Sequence, residues 1–145
     1  MKNKIIYVKE HITRDEYIDF LKRSDLGSQY PKERFLERIE KLVKSVSISI
    51  IAKDMDKIVG VIFGVTDFSY WLFVTDLGVD RDYVHQGIGK TLIKMALDEA
   101  GGKDDIALYL VANSDATGFY EKIGLKKSSD VMEFNQVEWT NFVVK

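Results

Sequence analysis

The stretch that decides the fold is residues 77–89, which read Leu-Gly-Val-Asp-Arg-Asp-Tyr-Val-His-Gln-Gly-Ile-Gly. It joins the end of an apolar run to a pattern with apolar residues at helical spacing. We interpret it as a strand that ends at Val79, a short loop, and a helix over residues 87–100. Glycines in such a loop let the backbone approach a ligand, and a helix N-terminus points free N–H groups at an anion. The same glycines suit a tight turn equally well, so these residues leave both interpretations open.

A second strand, loop and helix follow directly. Residues 106–111 form an apolar run, and residues 114–122 have helical spacing that ends before Gly124. Two successive strand and helix units predict a parallel pair of strands, whose carboxyl ends meet at one edge of the sheet. Tyr120 lies on the second helix, where by itself it is better explained as a core residue with its hydroxyl at the rim.

The first half of the chain predicts an antiparallel region. Four strands are predicted there: Ile5–Lys9, residues 46–50, residues 58–65, and Trp71–Val79 buried on both faces. One helix is predicted from Thr13, where Glu16 completes a capping box, and another with Pro31 in its first turn. Residues 125–145 predict one or two further strands. The expected fold is α/β in the mixed α+β sense, with a central sheet of six to seven strands flanked by about four helices in one domain, 1–145.

The composition excludes several classes of function. The chain has 145 residues, of which 46% are apolar and 30% charged, and its net charge of −2 gives no reason to expect nucleic acid. It contains no cysteine, so disulfides, thiolate metal sites and a thiol nucleophile are excluded. The two histidines, His11 and His85, have no ligand spacing, so no metal is expected. We also expect no membrane span and no signal peptide, and therefore a cytoplasmic protein.

Two familiar phosphate motifs can be set aside. Gly89, Lys90 and Thr91 resemble the end of a P-loop, but that pattern needs glycine where Val84 stands. The dinucleotide fingerprint needs a third glycine where Leu92 stands.

Taken together, the two loops resemble the GNAT superfamily, the N-acetyltransferases that use acetyl-CoA. The first signature of that superfamily is a strand ending in Val, a loop, and Arg/Gln-x-x-Gly-x-Gly/Ala, as in residues 77–89. The second is Asn-x-x-Ala-x-x-Phe/Leu-Tyr-x-x-x-Gly-Phe/Leu, which is matched at every spacing by Asn113, Ala116, Phe119, Tyr120, Gly124 and Leu125. Val84 replaces the Arg/Gln of the first signature, which removes a side-chain phosphate contact and leaves the backbone contacts.

The resemblance implies direct acetyl transfer from acetyl-CoA, as co-substrate, to an amine. The cofactor-binding residues that it implies are Leu77, Gly78, Val79, His85, Gln86, Gly87, Ile88, Gly89, Lys90, Asn113 and Phe119. Tyr120 matches the catalytic proton donor to the leaving thiolate, and backbone N–H groups near Val79 would polarise the thioester carbonyl. Gly78 predicts a bulge that splays its strand from the next and admits the pantetheine arm.

The base and the acceptor are less defined. Asp76 is the one carboxylate in its strand, and it could serve as the catalytic base, as an anchor for the amine or as a structural acceptor; a water could also take the proton. The acceptor is a small-molecule or peptide amine of unspecified class, and a homodimer is compatible with the sequence. Two rival interpretations are a non-catalytic acyl-CoA-binding sensor or accessory protein and an unrelated nucleotide-binding or interaction domain.

Overall fold

The computed structural model of the protein describes residues 4–28, 30–139 and 144. Strands and α-helices follow one another in the order β1 Ile5–Lys9, α1 Arg14–Lys22, α2 Phe35–Ser45, β2 Ile48–Asp54, β3 Lys57–Thr66, β4 Trp71–Val79, α3 Ile88–Ala100, β5 Ala107–Leu110 and α4 Thr117–Lys122. Two short 3-10 turns, Asp25–Ser28 and Arg81–Tyr83, precede α2 and α3.

The strands form one mixed sheet between two layers of helices. They lie in the order β1-β2-β3-β4-β5, antiparallel as far as β4 and parallel between β4 and β5. One face packs on Tyr17 and Phe20 of α1 and Ile39 of α2, and the other on Leu92 and Ala96 of α3. The mixed α/β architecture is therefore confirmed.

The number of strands was predicted wrongly. The described residues form five strands, not six to seven, because residues 125–139 contain none. This segment exposes large apolar side chains that a further strand would have buried, among them Val131, Met132 and Phe134. The neighbouring edge strand β5 is four residues long and offers a short edge for pairing. Residues 140–143 and 145 lie outside the described residues.

Most of the other boundaries agree with the sequence pattern. β1 and β4 have the predicted bounds, and Thr13 forms the predicted capping box with Glu16 at the start of α1. The helix predicted with Pro31 in its first turn instead begins at Phe35, because Arg34 adopts a left-handed φ of 54°. The full burial predicted for β4 was also wrong, since one face of its first half is exposed.

A bulge in β4 changes which face of the sheet its residues occupy. Asp76 pairs with Phe63 and Val74 with Gly64, so Thr75 is an extra residue in β4. Before the bulge Val74 packs toward α3, and after it Leu77 and Val79 do so. Asp76 is consequently turned toward α1, and this bulge determines what each residue of the site can contact.

Candidate active site

The second half of β4 has an open edge. β5 pairs with β4 only from Trp71 to Val74, whereas β3 pairs with it as far as Val79. The Asp80 N–H donates to the Val59 carbonyl at 2.8 Å, on the β3 side. Because the backbone groups of successive residues point to opposite sides of a strand, the N–H groups of Leu77 and Val79 point to the open edge. The strands thus part where the sequence predicted a splay, and two N–H donors line the opening.

The bulge that parts the strands is not at Gly78, as predicted, but at Thr75. Gly78 pairs in register with Val61. A Cβ at Gly78 would lie 2.6 Å from the Leu26 side chain, so this glycine is required by the packing of Leu26 against the strand.

The loop before α3 presents a row of free backbone donors. No N–H group from His85 to Lys90 donates to an acceptor among the described residues, and the first bond of this helix runs from the Thr91 N–H to the Gly87 carbonyl at 3.0 Å. His85 and Gly87 have φ of 65° and 80°, and the first turn of α3 contains no acidic residue. Alternating φ signs and a helix N-terminus together direct partial positive charge at one place, which suits an anion.

The two glycines of this loop serve different purposes. Gly87 has a left-handed φ, and nothing lies within 4 Å of the position of a Cβ. Gly89 has an ordinary helical backbone, but its Cβ would lie 3.1 Å from Cζ of Phe119. Gly87 is therefore needed for the turn, and Gly89 allows the Phe119 ring to approach α3.

Phe119 and Tyr120 bring the second motif beside the first. Phe119 is 40% exposed and contacts α3 at Gly89, and its ring centroid lies 5.2 Å from that of Tyr120. Tyr120 is half-buried against the apolar cluster of α3, and its hydroxyl has no hydrogen-bond partner among the described residues. Burial raises the pKa of Tyr120, so its hydroxyl stays protonated at neutral pH.

Asn113 is used locally. Its Oδ1 accepts a hydrogen bond from the Ala116 N–H at 3.0 Å, which forms the turn before α4. The structure gives this predicted cofactor-binding residue a role in shaping the loop.

The candidate loop is anchored by ion pairs that sequence reasoning missed. Asp80 is 2% exposed and accepts hydrogen bonds from the Arg23 guanidinium and from the Asp82 N–H. Arg23 also donates to the Ile58 carbonyl at 2.8 Å, and Arg81 pairs with Asp25 at 2.9 Å. The signal in the sequence was an aspartate directly after a strand, at a position that caps a turn.

Asp76 lies in a buried cluster of hydroxyl groups. Tyr30 donates a hydrogen bond to one carboxylate oxygen and Thr75 donates to the other at 2.8 Å, while the Tyr17 and Tyr30 hydroxyls are 2.8 Å apart. Burial raises the pKa of Asp76, and it also raises the pKa of both tyrosines. Asp76 faces α1, whereas Leu77 faces α3, so the carboxylate lies on the opposite face of the sheet from the loop at residues 85–90.

The described residues include neither a metal-binding cluster nor a membrane-spanning helix. They contain no group of three His, Cys, Asp or Glu side chains placed to hold a metal ion. None of their helices combines the length and the apolar character that crossing a membrane requires.

The site thus combines a parallel pair of strands that part with a turn of free backbone donors at the parting, an arrangement that suits an anionic ligand. The model of the acetyltransferase (GNAT) family matches residues 10–125, which is more than half of the chain. The chain therefore belongs to the GNAT acetyltransferase family, and the resemblance stated from its two motifs is confirmed.

Solved structures share this fold at low sequence identity. A protein of unknown function from meticillin-resistant Staphylococcus aureus aligns with TM-score 0.75 and 16% identity over 94% of this chain and 100% of its own. A GNAT family acetyltransferase of Streptococcus pneumoniae aligns with TM-score 0.70 and 24% identity over 92% of this chain and 99% of its own. A predicted acetyltransferase of Clostridium acetobutylicum, solved with acetyl-CoA, aligns with TM-score 0.68 and 16% identity over 91% of this chain and 96% of its own. No curated protein matches the chain.

Proposed function

We propose that the protein transfers the acetyl group of acetyl-CoA to a primary amine, directly and in a ternary complex. The observation that carries the proposal is the row of free N–H donors from His85 to Lys90, next to the open edge of β4. A pyrophosphate needs such donors, and an extended pantetheine arm needs a strand edge to lie along. Family membership and the acetyl-CoA in the Clostridium acetobutylicum structure support this assignment.

The chemistry assigned to each group follows from its position. The amine nitrogen attacks the thioester carbon while the N–H groups of Leu77 and Val79 stabilise the charge that develops on oxygen. The C–N bond forms, the C–S bond breaks, and the thiolate takes the hydroxyl proton of Tyr120, which solvent then restores. The proton lost by the amine goes to solvent, because both oxygens of Asp76 accept hydroxyl hydrogen bonds and only 6% of that residue is exposed.

Ligand-dependent unfolding tests the cofactor. CoA at about one hundred times its dissociation constant should add about 2.7 kcal/mol to the free energy of unfolding, whereas ATP and NAD should add nothing. Stabilisation by ATP or NAD alone would instead indicate the unrelated nucleotide-binding class.

A charge placed in the loop tests the location. Gly87→Glu puts a carboxylate beside the free donors and should weaken CoA binding by on the order of 100-fold through like-charge repulsion. Gly87→Gln is the matched control, because it carries the same backbone strain at φ 80° without the charge. Equal calorimetric affinities for CoA in the two variants would remove the proposed site.

Turnover separates the enzyme from a sensor. CoA release from acetyl-CoA, measured against a panel of primary amines, should rise above the rate of hydrolysis with at least one of them. Tight CoA binding with no amine-dependent release across that panel would favour the acyl-CoA-binding sensor.

A further inference from the structure

The helical layer opposite α3 contains a cleft of about 480 Å³. Its apolar wall is formed by Ile18 of α1, Phe35 and Leu36 of α2, and Val144. The Phe35 ring lies 6.0 Å from the ring of Tyr30, whose hydroxyl donates to Asp76 on β4. The cleft is therefore on the face of the sheet opposite the loop at residues 85–90, and one aromatic ring separates it from Asp76.

Charge in the cleft is positive. Lys32 and Arg34 line it, and neither has an ion-pair partner among the residues that the structure describes. Glu37 also lines it, but its carboxylate already lies 3.7 Å from Lys41.

The acids of α1 and α2 are also occupied. On α1 and α2 they pair with basic neighbours: Asp15 with Arg14, Asp19 with Arg23, and Glu40 with Lys44. Glu16 is engaged in the helix cap, and Glu33 does not line the cleft. The sequence showed only a mixture of acids and bases here, whereas the structure shows that both cations facing the cleft are without an ion-pair partner among the described residues.

We infer that the acceptor of this enzyme is an amine joined through an apolar segment to an anionic group, a carboxylate or a phosphate. The anionic group is bound by Lys32 and Arg34, and the apolar segment lies on Phe35 and Leu36. The inference rests on the proposed acetyl transfer and specifies its substrate class.

Three amines of equal length test the inference: hexylamine, 6-aminohexanoate and 1,6-diaminohexane. They share the reacting amine and differ only in the distal group. A hydrogen bond to a charged group contributes more free energy than a neutral contact does. We therefore expect kcat/KM for 6-aminohexanoate to exceed that for hexylamine by about 10-fold. The diamine should be the poorest. A fourth amine, 6-aminohexyl phosphate, distinguishes phosphate from carboxylate.

Variants locate the effect. The double variant Lys32→Gln and Arg34→Gln should lower the ratio of kcat/KM for 6-aminohexanoate to kcat/KM for hexylamine from about 10 to about 1. Glutamine tolerates the left-handed φ at position 34 about as well as arginine does, so the fold is retained. Arg38→Gln is the matched control, because Arg38 is exposed on α2, one turn after Arg34, and does not line the cleft. Retention of the preference in the double variant, or its loss in Arg38→Gln, would overturn the inference.

The affinity of each amine for the protein tests the inference even where turnover is low. Calorimetry on the CoA-saturated protein should give tighter binding of 6-aminohexanoate, or of the phosphate, than of hexylamine. If neither anionic amine binds more tightly than hexylamine, or if the diamine binds most tightly, the inference is overturned. If amines are acetylated without regard to the distal charge, the acetyltransferase stands and only the acceptor class is wrong; if CoA itself does not bind, the proposed function fails.

Discussion

The two loops that border the open edge of β4 are held in different ways. The loop after β4 is tied to distant parts of the chain by buried and half-buried groups: Asp80 binds Arg23, and the Tyr83 hydroxyl donates to Asp54 at 2.6 Å. The loop after β5 is held mainly by bonds within itself, such as that from Ala116 to Asn113. It begins at Val111, which is 83% exposed.

The helices that follow these loops differ in the same sense. α3 has 13 residues, of which six are buried, whereas α4 has six residues and none is fully buried. α4 contacts the rest of the molecule through Phe119 at Gly89, and Tyr120 packs on the apolar cluster of α3. Segments with few buried contacts open at low free energy. We therefore interpret the loop after β4 as preformed and the side that carries Tyr120 as readily displaced.

Removal of the anchor should have the largest effect. Asp80→Ala removes the buried carboxylate that caps the turn and binds Arg23, and it leaves the Arg23 guanidinium with only the exposed carboxylate of Asp19. It should lower the free energy of unfolding by about 3 kcal/mol, the sum of a lost charged hydrogen bond and a lost cap. CoA affinity should fall as well, because the loop loses its fixed position. Urea unfolding and calorimetry measure the two effects.

A surface aspartate serves as the control for this prediction. Asp15→Ala breaks an ion pair with Arg14 whose aspartate side chain is 82% exposed, and it should cost less than about 1 kcal/mol. Equal costs for Asp80→Ala and Asp15→Ala would show that the loop after β4 is no better anchored than the surface.

Loss of the Tyr120 hydroxyl should affect turnover and leave stability unchanged. Tyr120→Phe keeps the ring that packs on α3, so the free energy of unfolding and the CoA affinity should stay near those of the wild type. Turnover should fall about 10- to 100-fold, at or below the low end of what a general acid contributes, because a thiol is itself fairly acidic. The pKa of Tyr120 is raised by burial, so the ratio of wild-type to variant rates should stay constant between about pH 7 and pH 9.

Pre-steady-state rates decide that prediction. If the variant retains full turnover while chemistry is rate-limiting, Tyr120 is a packing residue and the hydroxyl has no catalytic role.

The sequence could predict what local patterns determine. The capping box of Thr13 and Glu16, the bounds of β4 and both loop motifs depend on residues close together in the chain. The bulge at Thr75 could not be predicted, because it depends on register with β3 and leaves no local signal. It was therefore assigned to Gly78, a glycine that in fact accommodates Leu26.

The parts of the site that were missed involve partners far apart in the chain. Asp80 is 57 residues from Arg23, and Asp76 is 46 residues from Tyr30. The alternation of a single strand cannot show which side chains of other elements face it. The sequence alone therefore leaves three roles open for Asp76. The structure also shows that the acids of α1 and α2 are held by ion pairs or by the helix cap, which the mixed charges of residues 13–44 could not show.

Two alanine substitutions test the comparison at its finest scale. In Gly87→Ala the new side chain meets no atom, but the left-handed φ of 80° should cost about 1–2 kcal/mol of folding free energy.

In Gly89→Ala the Cβ meets the Phe119 ring at 3.1 Å, so the ring must move by a few tenths of an ångström. If α4 is readily displaced, that movement costs little and is offset by the better helix propensity of alanine. The free energy of unfolding of Gly89→Ala should then differ from that of the wild type by less than about 0.5 kcal/mol. A firmly held α4 would make Gly89→Ala an overpacking substitution that costs about 1–3 kcal/mol. Urea unfolding of both variants distinguishes these outcomes, and a cost for Gly89→Ala that equals or exceeds that for Gly87→Ala would show that the two loops are held alike.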